Sequence, residues 1–305
     1  MRLCTFSVPS GDPRLGADCG SAILDLARFS HLHDGLRLPN DMLAFIDAGP
    51  AAWRHAAELC GRFTEELPSH DLNQDAEAGI AYQADRVRWH APIRRTRKDV
   101  VCLGQNYAAH AAESGNPPPT APIYFTKPPT TLIGPDEPIL YPKGLSNRLD
   151  WEVELGVVIG GKGRDIPEAD AVDRVFGYTV FNDISARDLQ FRTGQWFKGK
   201  SLDGSCPMGP VIVTADDVPD PQRLRLRLRV NGADKQDSNT SDMIFSVARI
   251  IADLSAGMTL EPGDCISTGT PQGVGDGRKP PEYLRPGDVV EAEIERIGTL
   301  RNPVR

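Results

Sequence analysis

Several features that mark common protein classes are missing from this chain of 305 residues. No apolar run approaches the roughly 20 residues that a membrane-spanning helix needs. Residues 1–10 lack the basic stretch and the long apolar segment of a secretory signal. We therefore predict a cytoplasmic protein that has no membrane partner.

The chain has few cysteines, and its basic residues are outnumbered by its acidic residues. The six cysteines are scattered and none form the C-x-x-C pair of zinc knuckles and redox sites, so we expect free thiols. Lysine and arginine total 34 against 42 aspartate and glutamate, which gives a formal net charge of -8. Because nucleic-acid binding needs a concentrated basic surface, the composition argues against a nucleic-acid partner.

The remaining composition, 40% hydrophobic and 25% charged, is that of a globular protein. Residues 1–95 are predicted to form a small N-terminal domain, with a helix over Asn40–Glu66. A basic cluster at 94–98 marks the join to a larger domain, 96–305, in which short β-like runs alternate with Gly and Pro. Helices are predicted near Asp170–Arg174 and Phe245–Ser255. The pattern indicates an α+β fold that is rich in strands.

The segment Asp150–Ile159 is the most informative part of the chain. Its alternating apolar residues predict a strand, on which Glu152 and Glu154 point to the same face. Two neighbouring carboxylates repel each other unless a cation lies between them, and Mg²⁺ and Mn²⁺ prefer carboxylate oxygens. Taken alone, the pair is more typical of an exposed acidic strand face.

Asp183 is a candidate for a third carboxylate ligand. It follows another apolar run, Tyr178–Phe181, and therefore stands at the end of a predicted strand. An octahedral ion held by three carboxylates keeps about three positions for water or substrate.

His110 and Glu113 are three residues apart, so on a helix they share one face. A carboxylate beside an imidazole fixes the ring, and the pair has the parts of a general base that acts on water. By spacing alone, an incidental pair on a surface helix is the simpler interpretation.

Over residues 98 to 301 the chain resembles the fumarylacetoacetate hydrolase family. The resemblance is carried by seven segments in order: Gly104-Gln105-Asn106-Tyr107; His110 with Glu113; Pro122 to Pro128; Asp150 to Leu155; Phe181 to Gln190; Lys200 to Asp203 with Ser205-Cys206-Pro207; and Gly269 to Gly275. No single segment is decisive, but their order leaves little room for chance.

The resemblance implies a fold, an assembly and a metal. The family fold is a mixed β-roll, often with a small N-terminal domain, and usually forms a homodimer. The implied metal is Mg²⁺ or Mn²⁺, with Ca²⁺ as a third candidate, held by Glu152, Glu154 and Asp183. Fumarylacetoacetase has a further carboxylate ligand, which this chain lacks, so it is closer to the branch with three carboxylates.

The resemblance also implies roles for other residues. The family's catalytic dyad falls on His110 and Glu113, and Lys200 is expected to stabilise a developing oxyanion. Arg187, Gln190 and Thr270 are expected to bind or position the substrate. Lys127 is a further candidate on the same wall of the site.

Family members act on 2-oxo acids and 1,3-diketones. The prediction we place first is a hydrolase that cleaves a carbon–carbon bond in an acylpyruvate or 2,4-diketo acid, through a metal-stabilised enolate and water activated by the dyad. The alternatives are oxaloacetate decarboxylation and isomerisation or hydration of a 2-oxo acid. A different kind of hypothesis is a binding or scaffold protein that keeps the fold but has no catalytic activity.

Overall fold

A computed structural model describes residues 1–9 and 11–305. The strands are β1 Arg2–Ser7, β2 Arg14–Asp18, β3 Ala22–Asp25, β4 Ala81–Gln83, β5 Arg88–His90, β6 Val100–Gly104, β7 Ile123–Lys127, β8 Leu132–Ile133, β9 Leu149–Asp150, β10 Val153–Ile159, β11 Val175–Asn182, β12 Ser185–Ala186, β13 Cys206–Thr214, β14 Arg225–Val230, β15 Ala233–Asn239, β16 Cys265–Ser267, β17 Val289–Ile294 and β18 Gly298–Pro303. The helices are α1 Leu26–Asp34, α2 Met42–Asp47, α3 Gly49–Glu66, α4 Leu72–Ala78, α5 Ala108–Glu113, α6 Arg187–Gln190, α7 Phe197–Lys200 and α8 Val247–Ser255.

A large mixed sheet forms the centre of the molecule. Its strand order is β4-β3-β2-β1-β13-β11-β10-β16-β6-β7, with β5 beside β1 and β8 beside β13. A second sheet, β15-β14-β17-β18, is antiparallel throughout and packs over β10 and β11. Strands and helices segregate in this way in an α+β fold, as predicted from the sequence.

The N-terminal residues continue the large sheet. Strand β1 pairs with β13, so β1 to β4 extend the sheet that the C-terminal residues build. Helices α2 and α3 cover the face of the large sheet opposite the second sheet, where Phe45 and Trp53 contact Phe176. The division into domains 1–95 and 96–305 stays a prediction.

Two of the predicted helices differ in the structure. The helix predicted over Asn40–Glu66 is two helices, because Gly49 adopts a left-handed φ of 77° that ends one helix and begins the next. The helix predicted near Asp170–Arg174 is wrong: the segment forms two short 3₁₀ turns. The stretch between Pro167 and the start of β11 is too short for a stable α-helix.

Strand β10 is buried on both faces, although its alternation predicted one wet face. It lies between β11 and β16, with the second sheet on one side and α2 and α3 on the other. A strand in that position has no solvent-facing side. The acidic residues that alternate along it are therefore inside the molecule.

None of the described helices is both long and apolar enough to cross a membrane. All six cysteines are free thiols.

Candidate active site

Three carboxylates meet at the end of the β10–β11 pair. Glu154 is on β10, Glu152 precedes it, and Asp183 follows β11; antiparallel pairing of Val153 with Asn182 brings them together. One carboxylate oxygen from each of the three residues lies within 4.8 Å of the other two, and all three side chains are buried. The structure thus brings together the three residues that the sequence suggested as metal ligands; we call them the acidic cluster.

Two buried cations contact the acidic cluster. Lys200 Nζ lies 2.7 Å from Glu152 Oε2 and 2.7 Å from Asp183 Oδ2. Arg187 Nη2 lies 2.7 Å from Glu152 Oε1, and Arg187 Nε donates to Asp150 Oδ2 at 2.8 Å. Short α6 and α7 carry these cations to the cluster from the loop after β12.

Lys127 lies beneath the acidic cluster, not on the cavity wall where sequence analysis put it. Its ammonium donates to Asp183 Oδ1 at 2.7 Å, to the Ile184 carbonyl at 3.2 Å, and to the Lys200 carbonyl. An ammonium has three donors, so these contacts use all of them. The position suits compensation of the Asp183 charge and leaves no donor for a substrate.

The electrostatics differ between the two glutamates. Burial by itself raises the pKa of Glu152, but the charges of Lys200 and Arg187 outweigh it and hold that pKa well below its usual range. Burial, reinforced by the neighbouring Asp183 and Glu152 charges, raises the pKa of Glu154 well above its usual range. Burial disfavours the Lys200 charge, yet Asp183 and Glu152 raise the pKa of Lys200 to about 12.

Glu154 is the carboxylate without a cation. Its Oε2 accepts from Ser267 Oγ at 2.6 Å and from Gly269 N at 2.8 Å, and among the described residues no Lys or Arg pairs with it.

The donor set fits a hard divalent cation. With Asp150, four buried carboxylates face three buried cations, which leaves one net negative charge if all are ionised. Carboxylate oxygens are the ligands that Mg²⁺, Mn²⁺ and Ca²⁺ prefer. Glu152, Glu154 and Asp183 would hold the ion.

A cavity of about 450 Å³ opens over the cluster. Its floor includes Glu152, Glu154, Arg187 and Lys200, and one wall is apolar, formed by Leu103, Phe125, Phe191 and Trp196. The rest of the lining is mainly polar and includes Gln105, His110, Glu113, Ser114, Asn116, Gln190, Thr270 and Asp276. The cavity is the right size for a small organic acid.

His110 and Glu113 stand together on α5, at the wall of this cavity. His110 Nδ1 lies 3.4 Å from Glu113 Oε2, and the His110 side chain is buried. Both oxygens of Glu113 accept from Gly273 N, each at 3.1 Å. With Nδ1 directed at Glu113, the other ring nitrogen of His110 is left for the cavity.

Of the predicted substrate residues, Arg187, Gln190 and Thr270 line the cavity, and some of their polar atoms already bond other parts of the protein. Gln190 Oε1 accepts from Arg187 Nη1 at 2.9 Å. Thr270 Oγ1 donates to the Val153 carbonyl at 2.9 Å and accepts from Gln236 Nε2 at 2.8 Å. These bonds hold the floor and wall of the cavity in place.

Two further residues build the site: Asp150, to which the sequence assigned no role, and Trp196, which lies in the segment 191–196 where residues that select substrate size were expected. Asp150 accepts hydrogen bonds from Arg187 and from two backbone amides of the 273–277 loop. The sequence does contain a signal for it, since Asp150 continues the two-residue spacing of Glu152 and Glu154. Trp196 packs edge-on against Phe125, with ring centroids 5.6 Å apart. No sequence spacing relates these two aromatic residues, because β7 and the segment before α7 meet only in the folded chain.

Residues 99–305 match the family described as fumarylacetoacetate (FAA) hydrolase C-terminal. The match covers the acidic cluster, the pair on α5 and the whole cavity lining.

Individual proteins are similar over most of the chain. Oxaloacetate tautomerase YisK of Bacillus subtilis (strain 168) is 44% identical over 269 residues, which are 88% of this chain and 87% of that protein. The structure of fumarylacetoacetate hydrolase (EaFAH) from psychrophilic Exiguobacterium antarcticum has a TM-score of 0.81 and 38% identity, covering 100% and 99% of the two chains. Maleylpyruvate hydrolase from Sphingobium sp. SYK-6, in complex with manganese (II) ion and pyruvate, has a TM-score of 0.74 and 30% identity, covering 100% and 98%.

Proposed function

The chain belongs to the fumarylacetoacetate hydrolase family, and we propose that it interconverts the enol and keto forms of a small 2-oxo acid of the oxaloacetate type. The sequence predicts carbon–carbon bond hydrolysis first, with isomerisation among the alternatives. The 44% identity to a protein named oxaloacetate tautomerase supports the alternative more strongly.

The observation that carries the proposal is the buried acidic cluster beneath a cavity that also presents the His110–Glu113 pair. A divalent cation bound by the cluster supplies positive charge for the oxygens of a 2-oxo acid. Mg²⁺ and Mn²⁺ are the candidates, and the similar maleylpyruvate hydrolase structure holds manganese (II).

The reaction requires one proton to leave and another to arrive. In the enol-to-keto direction the hydroxyl on C2 loses its proton and C3 gains one; no carbon–carbon bond breaks and no water is consumed. We assign the proton at C3 to His110, whose ring is oriented by Glu113 at 3.4 Å.

Lys200 is assigned to the substrate oxygens. Two of its three donors bond Glu152 and Asp183, which leaves one for a ligand in the cavity that it lines. The charge that builds on the C2 oxygen during proton transfer is then stabilised by a fixed ammonium.

Hydrolysis of an acylpyruvate is the second candidate. The same pair on α5 is suited to activating water, and maleylpyruvate hydrolase shares the fold with a TM-score of 0.74. Decarboxylation of oxaloacetate needs no water and is the third. The predicted homodimer and cytoplasmic location stay predictions.

The test is an absorbance assay that starts from the enol form of oxaloacetate. Chelator-stripped protein is supplied with Mg²⁺ or Mn²⁺, loss of the enol band is followed, and pyruvate is measured in the same samples. Metal alone gives the background rate.

Faster loss of the enol band without pyruvate supports the tautomerase. Pyruvate from oxaloacetate identifies a decarboxylase, and pyruvate from a panel of acylpyruvates identifies a hydrolase; either would replace the proposal. No protein-dependent change on any of these compounds would contradict 2-oxo acid chemistry altogether.

A further inference from the structure

We propose that Gly277 is a positioning residue for Glu113, because only a glycine there leaves room for the carboxylate that orients His110. The inference rests on the proposed function, since it assumes that the His110–Glu113 pair moves the proton.

The Glu113 side chain lies directly against the backbone of the 273–277 loop. A Cβ added to Gly277 would lie 2.3 Å from Glu113 Cγ, 2.4 Å from its Cδ and 2.7 Å from its Oε1. Gly273 N donates to both carboxylate oxygens from the same loop. The loop therefore positions the carboxylate in two ways. The amide of Gly273 donates to both of its oxygens, and Gly277, which has no side chain, leaves the space that Glu113 occupies.

The loop is itself tied to the acidic cluster. Gly275 N donates to Asp150 Oδ1 at 2.6 Å and Asp276 N donates to Asp150 Oδ2 at 2.9 Å. Asp150 also pairs with Arg187, which lies 2.7 Å from Glu152. A continuous line of contacts thus joins a carboxylate of the acidic cluster to the loop that positions Glu113.

Substitution of Gly277 is expected to move the carboxylate without disturbing the fold. Gly277 is not among the glycines with positive φ, so alanine can adopt its backbone conformation. The atoms in the way belong to the end of a flexible side chain, which can rotate aside. Rotation breaks the contacts of Glu113 with Gly273 and His110.

The test compares Gly277→Ala with Gly61→Ala, whose added Cβ meets nothing within 4 Å. For Gly277→Ala we expect kcat to fall at least ~10-fold, because small displacements of catalytic groups cost this much or more. Mn²⁺ affinity by calorimetry and the thermal melt should match wild type. The ¹⁵N shifts of the His110 ring in the metal-free protein should change, and in Gly61→Ala they should not.

A double-mutant cycle separates positioning from general damage. If Gly277 acts through Glu113, Gly277→Ala costs nothing further in a Glu113→Gln background. Wild-type kcat in Gly277→Ala, or losses that multiply in the double variant, would overturn the inference while the proposed function stands. Full activity of Glu113→Gln alone would instead remove the pair's role, and the inference with it.

Discussion

Lys200 Nζ lies 2.7 Å from Asp183 Oδ2, and the two residues are only 2% and 1% exposed. Both charges have been taken out of water, so each depends on the other for compensation. Glu152 shares the same ammonium at 2.7 Å. The acidic cluster is therefore held together in the free protein by a lysine that would lie beside the bound cation.

Replacing Lys200 by methionine should make the fold dependent on metal. Removal of one partner from a buried ion pair costs about 3–5 kcal/mol, so the metal-free variant should unfold at lower urea concentration than wild type. Mn²⁺ should stabilise the variant more than it stabilises wild type, because the ion supplies the missing positive charge. Urea melts with chelator and with Mn²⁺ measure both effects. Lys198→Met, on the exposed face of α7, is the control. Equal urea midpoints for the two variants would contradict the role of Lys200 in compensating the acidic cluster.

Glu154→Gln should weaken the binding of Mn²⁺ by at least ~10-fold, since a charged ligand is lost. The metal-free variant should be at least as stable as wild type, because Glu154 pairs with no cation and is repelled by Asp183 and Glu152. Calorimetric titration measures the affinity and a chelator-treated melt the stability. Glu58→Gln, on the exposed side of α3, provides the comparison. An affinity unchanged from wild type would exclude Glu154 as a ligand.

Glu113→Gln should reduce turnover by at least ~10²-fold, which is the usual size of a general-base effect. Mn²⁺ affinity should stay nearly intact, because Glu113 contacts none of the acidic cluster and instead bonds His110 and Gly273. Steady-state kinetics measure the turnover, and calorimetric titration measures the affinity for Mn²⁺. Turnover near the wild-type value would refute the assignment of the pair.

Trp196→Ala should broaden the range of substrates. The indole forms the apolar wall with Phe125 and packs over Gly104. Removing it should raise kcat/KM for a longer acylpyruvate relative to oxaloacetate by about 10-fold, which is the scale of discrimination by an apolar pocket. Phe197→Ala is the control, since that ring is exposed and does not line the cavity. An unchanged ratio would show that Trp196 does not limit substrate length.

Local patterns in the sequence predicted the features that depend on near neighbours. The alternation of Leu226, Leu228 and Val230 with arginines is typical of a half-buried strand, and in β14 these three side chains are buried while the arginines between them are at least partly exposed. The spacing of Glu152 and Glu154 placed two carboxylates on one face of a strand for the same reason, since the strand period fixes direction within a few residues.

Features that depend on what packs against an element were predicted less well. β10 has no wet face, because a second sheet and two helices cover it. Lys127 looked like a substrate contact, but its three donors all bond partners inside the protein. The sequence shows that a lysine is present; where its ammonium points depends on β7 lying beside the segment after β11.

The sequence by itself determined the strand-rich α+β fold, the family resemblance and the residues of the acidic cluster. These follow from periodicity and from ordered motifs, which are local properties of the chain. The tertiary structure alone decided how the charges are compensated, which wall is apolar, and how the 273–277 loop holds Glu113. Those contacts join residues far apart in sequence, such as Gly273 with Glu113, and their distances exist only once the sheets and loops have packed.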